Sequence, residues 1–220
     1  MSLPPRVWLQ SRNGRALDLV APRPGQVDFA EIADQLALIN RYVGASSVAV
    51  SVANHTLIAY RVACAVGATE RERALVLLHD VHESRIGDKA PPVKAMEFAI
   101  AREMFGATAE DTLRQVMAEI ERRHDAAIHA AALVDPPSEA EKAFVHRADL
   151  TALVTERRDF LSRPPMPWAP SIEAVPPLPT RQRLLPPARA AIELHELFIA
   201  HLPGARAQSF RAAPATRRSA

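Results

Sequence analysis

The stretch "RALVLLHDVHES", Arg73 to Ser84, joins an apolar run to a cluster of ionisable side chains. Its spacing predicts a helix, since residues three and four positions apart share one face. On that helix Glu83 would lie one turn beyond His79 and Asp80. A carboxylate on an apolar face costs free energy unless it is paired or bound to a cation. The stretch therefore predicts a helix whose inward face becomes a polar site in its last turn.

Two further predicted helices aim similar side chains inward. His55 has apolar neighbours one turn away on both sides, and Asp149 has a mixed but mainly apolar set. Two imidazoles and two carboxylates on three helices make a suitable ligand set for a divalent transition metal. Each residue alone also has an ordinary explanation, as a hydrogen-bonded core histidine or a salt-bridged aspartate. Their order and their helical context together favour a metal site.

The rest of the chain predicts an all-α fold with a small β-hairpin. Hydrophobic residues make up 48% of the sequence and aromatic residues only 5%, a composition that suits closely packed helices. Capping signals at Asp28, Thr69 and Ser138 mark helix starts. The expected organisation of domain 1–202 is a hairpin at 7–20, a helical core at 28–162, a proline-rich segment at 163–187 and a final helix at 188–202, followed by a disordered basic tail at 203–220.

Within the hairpin, two short extended runs flank Asn13-Gly14. This dipeptide favours a type I′ turn, because both of its residues tolerate a positive φ. We therefore expect a tight two-residue connection there.

Charge and cysteine content restrict the partners. The net charge is +2, but the last eighteen residues hold four arginines and no acid, which leaves the remainder at −2. A nucleic-acid-binding domain normally has a basic face in its folded part, so no specific nucleic-acid binding is expected.

The single cysteine, Cys64, has apolar neighbours and is expected to be a buried thiol. No apolar run approaches the length of a membrane span, and we expect a cytoplasmic protein without a membrane partner.

The series His55, His79-Asp80 and Asp149 resembles the H…HD…D signature of the HD-domain metal-dependent phosphohydrolases. Four blocks extend the likeness: "LALINRYVG", "SVANHTL", "LLHDVHESRIGDKAPPVK" and "EKAFVHRADL". They look like blocks of the subgroup that includes bacterial 5′-deoxynucleotidases and phage dATP triphosphohydrolases. The likeness covers roughly Trp8 to Phe160, and it implies an HD-domain helical bundle.

Position by position, the resemblance implies the roles of the site residues. Glu83 would be the acid/base group, and Asp88 a second acidic group near substrate or water. One departure is Tyr42, which stands where the deoxynucleotidases carry a tryptophan and so bears on sugar or base preference. The implied metal ligands are His55, His79, Asp80 and Asp149, and the implied substrate-binding residues are Arg41 for the phosphate, Tyr42 against the sugar, and Lys94 as added positive charge.

The implied activity is hydrolysis of a (deoxy)nucleoside 5′-monophosphate to nucleoside and phosphate. A divalent metal ion (Mn, Co, Zn or Mg) would lower the pKa of the attacking water. The nucleotide is the expected partner, and the resemblance implies a homo-oligomer, since small members of the family commonly assemble. Three alternatives remain open: a triphosphohydrolase acting on a deoxynucleotide such as dATP, a nucleotide sensor without turnover, and a partner-binding protein that works through its proline-rich segment and tail.

Overall fold

A computed structural model describes residues 7–212 of the chain. This part is mostly helical with a small antiparallel hairpin, which confirms the predicted all-α class. None of its helices is both long and apolar enough to cross a membrane. The strands are β1 (Trp8–Gln10) and β2 (Ala16–Asp18), and the helices are α1 (Phe29–Leu36), α2 (Val52–Ala65), α3 (Glu70–Leu78), α4 (Glu83–Ile86), α5 (Pro91–Phe105), α6 (Ala107–Ala132), α7 (Glu139–Phe160), α8 (Pro170–Glu173), α9 (Pro187–His201) and α10 (Pro203–Ala212).

The hairpin forms where the sequence predicts it, but its turn differs. Only Gly14 of the central dipeptide has a positive φ, +75°, so the turn is not type I′. The Gly14 N–H donates to the Ser11 carbonyl, and the Ser11 N–H donates to the Arg15 carbonyl. This pattern is a three-residue connection that ends in a left-handed glycine. The longer loop brings the Asn13 N–H to the Glu31 carboxylate, which holds the hairpin on α1.

Helix α2 is the centre of the core, with ten of its fourteen residues buried. One side packs against α1, α3 and α9, where the Phe29 and Phe198 rings meet edge to face with centroids 5.5 Å apart. The other side packs Ile58 and Val62 against α3 and α7. Each fully buried side chain of this size stabilises the fold by about 1.5–3 kcal/mol. A polar residue on the buried face of α2, such as His55, therefore lies deep inside the protein.

Local capping explains most of the helix starts. Thr69 and Ser138 form reciprocal capping boxes with the glutamates three residues later, as predicted. At α1 the capping box is only half formed: Asp28 accepts backbone N–H groups, but the Glu31 side chain turns away to pair with Arg15. A more favourable long-range partner thus replaces the local one.

Helix α3 ends at Leu78, earlier than the pattern predicts. The chain continues through two tight turns, in which the Val81 N–H donates to the Leu78 carbonyl and the Glu83 N–H donates to the Asp80 carbonyl. It then forms the single turn of α4. His79 and Asp80 consequently lie at the C-terminal end of α3, not within a continuous helix.

The proline-rich segment is irregular apart from the one turn of α8, as its composition predicts. It is nevertheless held against the core. The Asn54 side chain of α2 accepts from the Leu185 N–H at 2.8 Å and donates to the Leu185 carbonyl at 3.0 Å. The Asp159 carboxylate of α7 accepts from the Gln182 N–H.

The prediction of a disordered tail from residue 203 is wrong for its first ten residues, which form α10. Gly204, near the start of α10, lies in a close contact, since a Cβ there would come within 1.8 Å of the Ala131 carbonyl oxygen. The Gln208 side chain also accepts from the Phe29 N–H and donates to the Val27 carbonyl. Small residues and one amide anchor this helix, which its basic composition does not reveal. The remainder of the predicted tail, 213–220, lies outside the described residues.

Cys64 is exposed, contrary to the prediction of a buried thiol. It lies in the last turn of α2, where Ala65 and Val66 are also exposed. The end of the helix extends beyond the core, so apolar neighbours in the sequence do not imply burial here.

Candidate metal centre

Three of the four predicted ligands bring their donor atoms together. His55 Nε2 lies 3.3 Å from His79 Nε2 and 3.6 Å from Asp80 Oδ2, and His79 Nε2 lies 3.1 Å from the same oxygen. One donor atom from each residue falls within 4.8 Å of the others. Two imidazole nitrogens and a carboxylate oxygen at this separation match the ligands that divalent transition metals prefer.

Asp149 joins this cluster from α7. Its Oδ1 lies 3.0 Å from His55 Nε2. His79 Nδ1 donates to the Val76 carbonyl at 2.7 Å, which leaves Nε2 directed towards the cluster. The four residues thus meet where α2, the end of α3 and α7 come together.

Glu156 is a functional candidate that the sequence did not reveal. Its side chain is fully buried. His55 Nδ1 donates to Glu156 Oε1 at 2.9 Å, and the Tyr42 hydroxyl donates to Oε2 at 2.5 Å. The available signal was its position seven residues after Asp149, on the same face of α7. The following Arg157 and Arg158 hid that signal, because "TERRD" has the composition of a solvated surface.

Arg41 and Tyr42 reach the cluster from a turn that precedes α2. The Arg41 N–H donates to the Val50 carbonyl at 2.8 Å, and Tyr42 and Val43 have φ values of +59° and +54°. Such conformations cost about 1–3 kcal/mol each in residues other than glycine. Arg41 Nη1 lies 3.5 Å from Asp80 Oδ2. Its Nε is buried without a hydrogen bond among residues 7–212.

The remaining predicted acidic residues lie beside the ligands. Burial raises the pKa of Glu83 to about 8, and the negative charges of Asp80 and Asp88 add to the effect. Burial also raises the pKa of Asp88, with Arg41 acting in the opposite direction. Glu83 Oε2 is buried and accepts no hydrogen bond within the described structure. A carboxyl group of this kind can exchange a proton near neutral pH.

The cluster holds more negative than positive charge. Burial and Arg41 oppose protonation of His55, but Glu156 and Asp149 outweigh them and raise its pKa to about 10. Burial opposes ionisation of Asp80, yet the neighbouring histidines and Arg41 hold its pKa below the usual range. Five carboxyl groups lie around the histidines and Arg41, so the histidines attract protons. The same charge imbalance would favour a bound cation, and the residues present therefore fit a divalent metal.

Lys94 is not brought to the ligands. Its Nζ donates to Glu121 Oε1 of α6 at 2.8 Å. Lys94 and Glu83 do line the same small cavity, with a volume of about 160 Å³. A larger cavity of about 630 Å³ lies between α3, α6 and α7, and His79 and Asp149 form part of its wall. The larger cavity therefore adjoins the ligands directly, and the smaller one adjoins Glu83.

No protein-family model matches this chain. The chain is similar to an uncharacterized protein of Rhodobacter capsulatus, with 38% identity over 94 residues. The matched region is 41% of this chain and 48% of that protein, so the chain spans about half the length of the relative it matches. The comparisons thus assign no function, and the likeness to HD-domain phosphohydrolases stays a prediction.

Proposed function

We propose that this protein hydrolyses a (deoxy)nucleoside 5′-monophosphate to nucleoside and phosphate with the help of a divalent cation. The observation that carries the proposal is the convergence of His55, His79 and Asp80, whose donor atoms lie within 4.8 Å of one another. A buried arginine and a carboxyl group with a raised pKa lie beside them. Together these groups match the needs of phosphate-ester hydrolysis.

The cation would be held by His55, His79, Asp80 and Asp149. When bound, it would supply a Lewis acid that polarises the phosphoryl group and makes water a better nucleophile. The excess of carboxylates around the cluster supports this part of the proposal, because it disfavours an anionic substrate unless positive charge is added.

Arg41 would hold the phosphate. Its planar guanidinium can donate two parallel hydrogen bonds to phosphoryl oxygens. Its present contacts with Asp80 and Glu156 are long, 3.5 and 3.4 Å, and its Nε makes no hydrogen bond with the described residues. The guanidinium therefore retains donors for an incoming anion.

Glu83 would transfer the proton. Water attacks the phosphorus, the bond to the 5′ oxygen breaks, and that oxygen must gain a proton as the nucleoside leaves. A carboxyl group with a pKa of about 8 is partly protonated at neutral pH and can serve in this step. Its Oε2 atom is buried, which shields the proton from bulk water.

The large cavity beside His79 and Asp149 would hold the nucleoside. Its volume of about 630 Å³ is in the range of small-molecule sites, about 300–1,000 Å³. Its wall combines apolar side chains such as Leu75 and Val145 with the polar side chains of Glu121, His129 and His146. This mixture suits a base and a sugar.

The test is a hydrolysis panel. Purified protein is incubated with each deoxy- and ribonucleoside mono- and triphosphate in Mn²⁺, Co²⁺, Zn²⁺ or Mg²⁺, and phosphate, pyrophosphate and triphosphate are separated. We expect phosphate from monophosphates, reduced to background in Asp80→Asn but not in Asp111→Asn, which alters an exposed aspartate of α6. Release of triphosphate would replace the proposal with the triphosphohydrolase alternative. Binding without turnover in every metal would contradict hydrolysis altogether.

A further inference from the structure

We infer that Glu156 is a positioning residue that serves both halves of the site at once. One carboxylate oxygen orients His55 for cation binding, and the other fixes the turn at Arg41 and Tyr42 for phosphate binding. This inference rests on the proposed function, because it assigns ligand roles to His55 and Arg41. It adds a residue that neither touches the substrate nor binds the cation.

The first half of the inference concerns the tautomer of His55. An ionised carboxylate can only accept, so the 2.9 Å contact places a hydrogen on His55 Nδ1. His55 Nε2 is then the ring nitrogen that faces Asp80, His79 and Asp149, and a bound cation would take the place of its proton. Both side chains of the pair are fully buried, so water cannot replace the hydrogen bond. A buried carboxylate behind a ligand histidine also keeps the ring from rotating.

The second half concerns the strained turn. Tyr42 and Val43 both lie in the left-handed region, which side chains other than glycine rarely adopt. Such a conformation persists only when surrounding contacts compensate for it. The Tyr42 hydroxyl donates to Glu156 Oε2, and Arg41 Nε lies 3.4 Å from the same oxygen. Glu156 thereby supports the turn that carries the phosphate-binding arginine.

Glu31 offers a matched comparison for this role. Its side chain is also fully buried, and it also accepts from a backbone N–H and an arginine. It joins the hairpin to α1, however, and its partners Asn13 and Arg15 are not among the candidate ligands. If burial of a paired carboxylate were all that mattered, Glu31→Gln and Glu156→Gln would behave alike.

The test compares Glu156→Gln, Tyr42→Phe and Glu31→Gln with the wild-type chain. Calorimetry measures the affinity for Mn²⁺ alone, then for inorganic phosphate with Mn²⁺ present, and urea unfolding measures stability. In Glu156→Gln we expect Mn²⁺ binding to weaken about 10–100-fold, together with weaker phosphate binding. In Tyr42→Phe only phosphate binding should weaken, by about fivefold, the equivalent of one hydrogen bond. Glu31→Gln should lower stability and change neither affinity.

Several results would overturn the inference. One is unchanged Mn²⁺ affinity in Glu156→Gln, and another is an equal loss of affinity in Glu31→Gln. If Glu156→Gln fails to fold, Tyr42→Phe decides the question. Unchanged phosphate affinity in Tyr42→Phe would mean that the hydrogen bond to Glu156 does not support the phosphate-binding turn. Wild-type protein that binds no Mn²⁺ and hydrolyses no nucleotide would refute the proposed function as well. Active wild-type protein with an equally active Glu156→Gln variant would refute this inference alone.

Discussion

Glu31 and Glu156 are two fully buried carboxylates in different regions of the molecule. Glu31 lies where the N-terminal hairpin meets α1, and it accepts from the Asn13 N–H and from Arg15. Glu156 lies on α7, and it accepts from His55 and Tyr42 beside the candidate metal ligands. The two have the same chemistry and both side chains are shielded from solvent, but the groups around them differ.

The difference suggests that partners, not burial, distinguish the carboxylate that anchors the hairpin from the one proposed to position the site. The arginine that pairs with Glu31 is partly exposed, and Asp28 pairs with the same arginine. Glu156 belongs to a group of five carboxyl groups around two histidines and one arginine. Arg85 adds a second positive charge near Glu31 and Asp28, so charge in the first region is balanced. The excess of carboxyl groups in the second region would favour a bound cation. Changes in the first region should therefore alter stability, and changes in the second should alter binding.

The largest effect is expected for His55→Ala. The substitution removes a candidate ligand, opens a cavity in the core and leaves Glu156 without its imidazole partner. Breaking a buried charged pair from one side costs about 3–5 kcal/mol of unfolding free energy. Mn²⁺ binding should become undetectable by calorimetry, and urea unfolding should show the loss of stability. His146→Ala is the matched control, because His146 is an exposed histidine in the wall of the large cavity beside the cluster. Equal Mn²⁺ affinity in the two variants would contradict the assignment of His55.

A smaller effect, on stability alone, is expected for Gly204→Ala. The added methyl would meet the Ala131 carbonyl oxygen, so α10 must shift away from α6. Overpacking of this kind costs about 1–3 kcal/mol, and thermal unfolding measures it. Gly25→Ala is the control, since a methyl added there would meet no atom within 4 Å beyond its chain neighbours. Mn²⁺ affinity should not change, and identical melting temperatures for both variants would refute the close contact.

The contribution of Glu31 should depend on pH. Burial opposes its ionisation, but hydrogen bonds from Asn13 and Arg15 outweigh burial and lower its pKa. A carboxylate whose pKa is lowered by folding stabilises the protein above its unfolded pKa of about 4.3, and that stability is lost as pH falls through the folded value. Glu31→Gln should thus be less stable than wild type at pH 7, by about 1 kcal/mol. This difference in the free energy of unfolding should narrow in acid. Urea unfolding of both proteins across pH measures it, and a difference that stayed constant would contradict the prediction.

The smallest effect is expected for Lys94→Met. Its ammonium pairs with Glu121 at a partly exposed position, and such pairs contribute about 0–1 kcal/mol. Because Lys94 shares a cavity with Glu83, we expect KM for the nucleotide to rise by a few-fold with little change in kcat. A large fall in kcat would instead place Lys94 in the chemical step.

Local signals made much of the fold predictable from the sequence. Helices α1, α3 and α7 begin after Asp28, Thr69 and Ser138 as expected, because the capping side chain and the helix lie in one short stretch. The order of histidines and aspartates likewise predicted four side chains that the fold does bring together. Both kinds of signal are carried by the identity and spacing of a few residues.

What the sequence did not reveal depends on contacts between distant segments. Glu156 looks like a surface glutamate until α7 packs on α2 and buries it. Gly204 looks like a helix terminator until α10 meets α6. The burial of Cys64 was misjudged for the same reason, since apolar neighbours in the chain do not show where a helix leaves the core. The burial of these residues is set by packing between distant segments, and periodicity within one segment does not encode that packing.

The most direct measurement is anomalous diffraction from crystals of the protein soaked in Mn²⁺. We expect an anomalous peak between His55 Nε2, His79 Nε2 and Asp80 Oδ2, with Asp149 beside it, and no such peak in Asp80→Asn crystals treated in the same way. If well-soaked wild-type crystals showed no anomalous peak at the cluster, or showed peaks only elsewhere, a metal-dependent hydrolase at this site would be contradicted.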